Sequence, residues 1–488
     1  MPEKLGLKEV VAMGVGGVVG GGIFAVLGVA AKIAGNAAFI SYFLSGLIAL
    51  ASAYSYVKMT EHLKEEGGSF TFLEHYVSNN KIAGMVGWIL IVGYIGTMAM
   101  YAFAFGSFAA NLLRVQAGSL IRGTISVGIL AVFVGVNLLG VRKSGESEDL
   151  LVYAKVAILL LFGFIGLWTI FTRPEFSLFR HGVFNKGAIA PIIGIGTIFV
   201  SFEGWQLLTY EYSDIEGGIE TLKKGVIWTI ITSTLIYILT AVVTTSLVPT
   251  EMIIKHKETV LAFAAGKIFA SQILTEISRL MVSLAALFST ASAINATLFG
   301  TARFSHKIAT ENELPEIFSF RNRKGVPTKS LMIIGALTAL FTFTGSLEEI
   351  TTFASLSFIL IFGVVNYVCL KDSELEKKSW IPVLGLTGTL IVFILELWHL
   401  YTEEPGLLIF VGGIFTSLFF LEFLYFEREE IEEEAEKVEE EAEELEEEAE
   451  EMGEELEENV EELEEELEKE SEEEAEKLAE ELEDSGDK

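Results

Sequence analysis

Residues 13–26 read MGVGGVVGGGIFAV and residues 193–206 read IGIGTIFVSFEGWQ. Both windows lie inside long apolar stretches and interrupt them near the middle. Sliding one onto the other by 180 residues places Gly14 on Gly194 and Gly16 on Gly196, and Gly20, Gly21 and Gly22 on Val200, Ser201 and Phe202. The identity is weak, but each window begins a block of five apolar spans. Interrupted spans at corresponding positions of two halves point to a transporter built from inverted repeats, with its binding site between them.

The remaining chain has the composition such halves need. Apolar residues make up 51% of the 488, and mean hydropathy is +0.49. They gather in blocks of about 20 or more, the length that crosses a bilayer core of roughly 30 Å. About twelve spans follow, at residues 9–34, 37–58, 82–113, 119–139, 148–171, 188–212, 224–248, 272–302, 328–345, 349–370, 380–400 and 406–426. The expected fold is an all-α polytopic membrane protein in which residues 9–171 form repeat one, 188–370 repeat two and 380–426 two extra helices. The first span is too long and too rich in glycine for a cleaved signal core and is read as retained. Residues 61–81 and 250–271 are too polar to span, and are expected to form an inner loop helix and an outer cap. An even number of spans puts both termini on one side, and about 19 basic residues there against about 10 opposite make that side the cytoplasm.

The net charge of −33 says little about the substrate. Of 67 acidic and 34 basic residues, 37 and 5 fall from Glu427 onward, which leaves 30 and 29 in a nearly balanced body, residues 1–426. A single cysteine, Cys369, excludes an internal disulfide framework, and the six histidines form no pattern that resembles a metal site. Neither a nucleophile with its base nor a phosphate loop is present, so no enzyme, no cofactor and no nucleic-acid partner is expected.

Three glycines in succession at 20–22 cost a helix about 1 kcal/mol each relative to alanine. In a membrane the freed backbone groups must be satisfied by protein or by a polar cavity. The triplet therefore reads either as an unwound joint whose N–H groups hold an anion such as a carboxylate, or as a close helix contact through small residues. Glu203, beside Gly204 in the sixth span, is a functional carboxylate if it lies at membrane depth, and an ordinary wetted one if the span starts later. Ser289 and Ser292 stand one turn apart on a small-residue face, where their hydroxyls can meet at one point or simply pack. Lys155 lies in EDLLVYAKVAILLLF, residues 148–162. It is roughly 10 Å along the helix from Glu148, so it either snorkels to water or remains inside as a removable cation. Arg279, Glu396 and Glu422 sit near predicted span ends, where long side chains reach the headgroups.

GVVGGGIF in the first span, FVSFEGW in the sixth and STASAINATLFGTARFSHKIATENELP from the eighth resemble the signatures of the amino acid–polyamine–organocation superfamily of transporters. The resemblance covers residues 1–426 and implies a five-plus-five inverted repeat of the kind found in sodium-coupled amino acid carriers. Spans 1 and 6 would be unwound at mid-membrane around a small amine or amino acid, their openings aligned at Gly20, Gly21, Gly22 and at Val200, Ser201, Phe202. It implies that a substrate carboxylate rests on the N–H groups of Gly21 and Gly22, and the amino group on carbonyls of Val18, Val200 and Glu203. Many relatives carry a large aromatic gate near Val200; here Phe202 is the nearest candidate. It also implies that the Lys155 ammonium takes the place of a coupling cation, between the carbonyls of Gly16 and Val19 and the hydroxyls of Ser289 or Ser292. A buried amine can lose and regain its proton during a cycle.

The expected function is secondary transport of amino acids across the cytoplasmic membrane, coupled to a proton. A carrier of potassium or a polyamine on the same fold, or a sensor or scaffold that moves nothing, are the alternatives. In the tail, 427–488, apolar residues recur at 431, 435, 438, 442, 445, 449, 452 and 456, a heptad seam. Val460 arrives four residues later and breaks the register. With like charges opposing it, a transient helix is favoured over a solvated tail, and self-association or cation binding are its conceivable partners.

Overall fold

The computed structural model describes residues 4–64, 68–76, 80–115, 119–139, 145–179, 182–310, 314–323, 325–372 and 379–485. The first span is divided into α1 (Leu7–Val18) and α2 (Gly22–Ala34), and α3 (Ala38–Leu63) returns across the membrane. A short α4 (Ser69–Tyr76) precedes α5 (Asn80–Leu112), α6 (Ser119–Leu138) and α7 (Gly145–Thr172). The sixth span starts as α8 (Ala190–Ile198) and continues in 3-10 winding, after which α9 (Ile219–Leu247) leads to two small helices, α10 (Thr250–Lys255) and α11 (Val260–Ala265). Then come α12 (Gln272–Thr310), α13 (Thr328–Thr344), α14 (Leu347–Lys371), α15 (Ile381–Glu403) and α16 (Pro405–Ser485).

Among the described residues, nine helical stretches are long and apolar enough to cross a bilayer. One of them, Gly22–Leu63, holds two crossings, and Thr328–Thr344 and Pro405–Leu421 are shorter apolar helices, so the chain makes about twelve crossings. The polar segments fall where expected: α4 lies within 61–81, whose residues 65–67 and 77–79 are outside the described set, and α10 and α11 lie within 250–271.

Local chemistry sets several of these boundaries. Ser346 caps α14 in a capping box with Glu349, each side chain bonded to the other's backbone N–H. Between α2 and α3 the chain turns at Gly35 with φ +58°, a conformation that side chains resist. The adjoining Asn36 is held by Asn185 Oδ1 at 2.9 Å and by the Gly182 carbonyl at 2.8 Å. At the start of the body, Leu5 N–H donates to Asp214 O at 2.8 Å and Leu5 O accepts from Glu216 N at 2.9 Å, so the beginning of the first span is tied to the end of the sixth.

The core is apolar, and many of its hydroxyls are satisfied within their own helix. Thr60, Thr97, Thr240, Thr301 and Thr338 each donate to the carbonyl four residues back. That is the local solution where no water is available. Hydroxyls that reach another helix are therefore informative, and those of Ser289, Ser355 and Tyr237 all converge on the two interrupted spans.

One expectation fails here. Glu396 does not reach the headgroup region: α15 extends to Glu403, two turns beyond it, and the side chain is 1% exposed. Arg279 does lie near a helix start and is half-buried, while the side chain of Glu422 is outside the described set. The chain divides into units 1–422 and 423–488. In the second, helical backbone continues to Ser485, and the seam residues Leu445, Met452 and Leu456 are exposed. The side chains of Ile431, Ala435 and Val438 lie outside the described set.

Candidate functional site

The first interruption begins where α1 stops at Val18. Val19 leaves the helix at φ −77°, ψ 48°, and Gly20 and Gly21 carry the chain to the start of α2 at Gly22. The carbonyls exposed there are met by side chains from two other helices. Lys155 Nζ, on α7, donates to Gly16 O at 2.6 Å. Ser289 Oγ, on α12, donates to Gly20 O at 2.8 Å and lies 3.2 Å from Val19 O. Lys155 is 5% exposed, so its amine points into the body rather than to water. Ser292 is half-buried one turn beyond Ser289.

The second interruption is built differently. α8 gives way to a 3-10 turn at Phe199–Phe202, Glu203 is extended, and Gly204 takes φ +119° before 3-10 winding resumes at Trp205. Ser355 Oγ, on α14, spans the change of winding: it accepts from Val200 N at 3.0 Å and donates to Thr197 O at 2.7 Å. Glu203 N–H donates to Val200 O at 3.1 Å, so one carbonyl predicted to meet a substrate amine already has a donor. The Glu203 carboxylate is buried, with Tyr101 OH 3.3 Å from Oε2 and Gln206 Nε2 3.4 Å from Oε1. Gln206 Oε1 in turn accepts from Gly204 N at 2.8 Å. A Glu203 near water is therefore excluded.

The two interruptions touch. A methyl group on Gly204 would come within 2.8 Å of the Gly17 carbonyl carbon, and one on Gly22 within 2.8 Å of Ser201 Cα. Glycine is required because backbone meets backbone. Beside Gly21 stand the Tyr101 ring and Thr290. Tyr237, on α9, binds both segments: its hydroxyl is 2.6 Å from Val18 O and 2.9 Å from Ser201 O. The Phe202 and Tyr237 rings meet edge to face at 5.4 Å between centroids.

The structure thus gathers Gly16, Val18, Val19, the glycines at 20–22, Val200, Ser201, Phe202, Glu203, Lys155 and Ser289 at one junction. Sequence reading missed Tyr237, Tyr101 and Ser355. Tyrosine and serine are common in spans, and only the partner each one finds distinguishes them. The junction offers carbonyl acceptors, one buried carboxyl, one buried amine and phenolic donors inside an apolar shell, a set suited to a small molecule carrying both charges.

The model of the amino acid permease family matches residues 5–418, and the chain belongs to that family of membrane transporters. It is 29% identical over 425 residues to an uncharacterized protein of Methanocaldococcus jannaschii, covering 87% of this chain and 95% of that one. It is 27% identical over 421 residues to the inner membrane transport protein YbaT of Escherichia coli, covering 85% and 95%. With the branched-chain amino acid permease BcaP of Bacillus subtilis it shares 21% over 426 residues, covering 81% and 88%.

Proposed function

We propose that this protein moves an amino acid across the cytoplasmic membrane by alternating access, with a proton carried at Lys155. The observation that supports the coupling is the Lys155 ammonium on Gly16 O, with Ser289 on Val19 and Gly20 of the same interruption. Protonated, the amine ties α7 to α1. Neutral, it has no charge to hold there, and a buried charge without a partner is costly enough that protonation and helix contact go together.

In this reading the substrate carboxylate rests on the N–H groups of Gly21 and Gly22, at the positive start of α2. Its amino group meets carbonyls of Val18, Val200 and Glu203, with Phe202 as the gate. The two halves, 9–171 and 188–370, rock about this junction, both termini facing the cytoplasm, and 427–488 is a separate cytoplasmic segment.

The test is uptake of radiolabelled amino acids into liposomes under an imposed pH gradient. Lys155→Ala should abolish accumulation while leaving substrate-for-substrate exchange measurable. Full accumulation by that variant would remove Lys155 from the coupling.

A further inference from the structure

Glu396 stands on α15, outside the junction, and nothing at the junction uses it. It is 1% exposed, and its Oε2 has no hydrogen-bond partner among the described residues. The carboxyl group is seated on Gly196 of α8, where a methyl group would overlap it. Gly196 adjoins Thr197, whose carbonyl holds the Ser355 hydroxyl, and α-helical winding ends two residues after Gly196, at Ile198.

Among the described residues, none is paired with Glu396 to balance an ionised carboxylate. α15 lies against α3, α8 and α14. α8 and the apolar start of α16, Pro405–Leu421, carry no ionisable side chain. α14 has Glu348 and Glu349 at one end and Tyr367, Cys369 and Lys371 at the other, and α3 has Tyr42, Tyr54, Tyr56, Lys58, Glu61 and His62. On α15 itself His399 is one turn on, near Lys32 of α2 and facing Glu403 and Glu404. None of these forms a hydrogen bond or ion pair with Glu396 among the described residues. Lys32 and Lys257 are both committed to Glu348, at 2.9 Å each. A metal ion would need several oxygen ligands, and a single carboxyl on a glycine of an apolar helix does not provide them.

We infer that Glu396 is a proton-binding site, loaded while α8 lies on α15 and emptied when α8 draws away and admits water. The neutral acid fits the contact; the anion needs water or a cation that the contact excludes. Span 6 would thereby carry its own proton switch, on the far side of its interruption from Lys155. The use of this switch in a cycle rests on the transport reading above, but its occupancy does not.

The occupancy is measured by infrared difference spectroscopy of the purified full-length chain at neutral pH, Glu396→Gln against wild type. The wild type should show the carbonyl stretch of a protonated carboxylic acid that the variant lacks; identical spectra overturn the inference. Glutamine imitates the neutral acid in shape and charge, so the variant should melt no lower than wild type, and a variant that fails to fold also overturns it. Gly196→Ala, which displaces the carboxyl with Glu396 intact, should shift or remove the same band, and an unmoved band counts against the seat on α8. In liposomes, Glu396→Gln should retain amino acid exchange yet take up fewer protons per substrate, followed with a pH-sensitive dye. An unchanged proton count would refute the coupling of this site to the cycle. If neither protein moved any amino acid, the transport reading would fall while the infrared band still decided the state of Glu396.

Discussion

The two interrupted spans solve the same problem in different ways. In span 1 the helix stops outright at consecutive glycines, and the exposed carbonyls are served from outside by the amine of Lys155 and the hydroxyl of Ser289. In span 6 the chain tightens into 3-10 winding, and much of its repair is its own: Glu203 N–H on Val200 O, and Gln206 on Gly204. Among the described residues, Ser355 and the phenols of Tyr101 and Tyr237 come from elsewhere, and Tyr237 serves Val18 O of span 1 as well. The difference is that span 1 presents acceptors to an amine and a hydroxyl from other helices, whereas span 6 contributes a carboxyl group of its own.

Substitutions can separate the two. The largest effect is expected from a contrast at a single contact. Gly204→Ala places a Cβ 2.8 Å from the Gly17 carbonyl carbon at φ +119°, whereas Gly17→Ala meets Gly204 O at an ordinary 3.4 Å. Gly204→Ala should cost about 3 kcal/mol or more through strain and overlap, and Gly17→Ala should be near neutral, because alanine favours the helix it joins. Thermal unfolding in detergent checks the pair, and equal losses would break the asymmetry. Next comes Tyr237→Phe, which withdraws the donor serving Val18 O and Ser201 O together and should cost about 1–3 kcal/mol by the same measurement.

A smaller contrast lies between the serines. Ser355→Ala strips a partner from a backbone N–H as well as from a carbonyl, and orphaned N–H groups are the rarer defect. It should cost about 1–2 kcal/mol, and Ser289→Ala, which affects carbonyls alone, about half as much. The reverse order in melting temperature would contradict the contrast drawn between the spans. The least effect is expected from deleting residues 430–488, which should leave amino acid flux unchanged in liposomes; loss of flux would make the tail a working part of the transporter.

What was legible in the sequence were residues out of place in their surroundings. Three glycines, a Glu-Gly pair and a lysine within apolar spans are costly there, so each drew attention for a physical reason. Tyr237 and Ser355 carry no such cost. A tyrosine or serine in a span is unremarkable until its hydroxyl is seen to cross to another helix instead of bonding four residues back. Glu396 was misread for the opposite reason: proximity to a span end suggested water, but α15 runs on to Glu403 and the side chain is packed onto α8. Length along a helix does not reveal which face is covered. The acidic tail was ambiguous because like charges and a heptad seam pull in opposite directions.

Tyr237 has a consequence for affinity. Its single phenolic proton lies between Val18 O and Ser201 O, at 2.6 and 2.9 Å. An ammonium arriving at Val18 would not fill an empty berth. It would evict a resident donor, so the measured dissociation constant would report a difference between two hydrogen-bonded occupancies rather than the strength of either. A weak constant at this junction would therefore be no sign of poor complementarity; it would be the ordinary outcome of competition for one carbonyl oxygen.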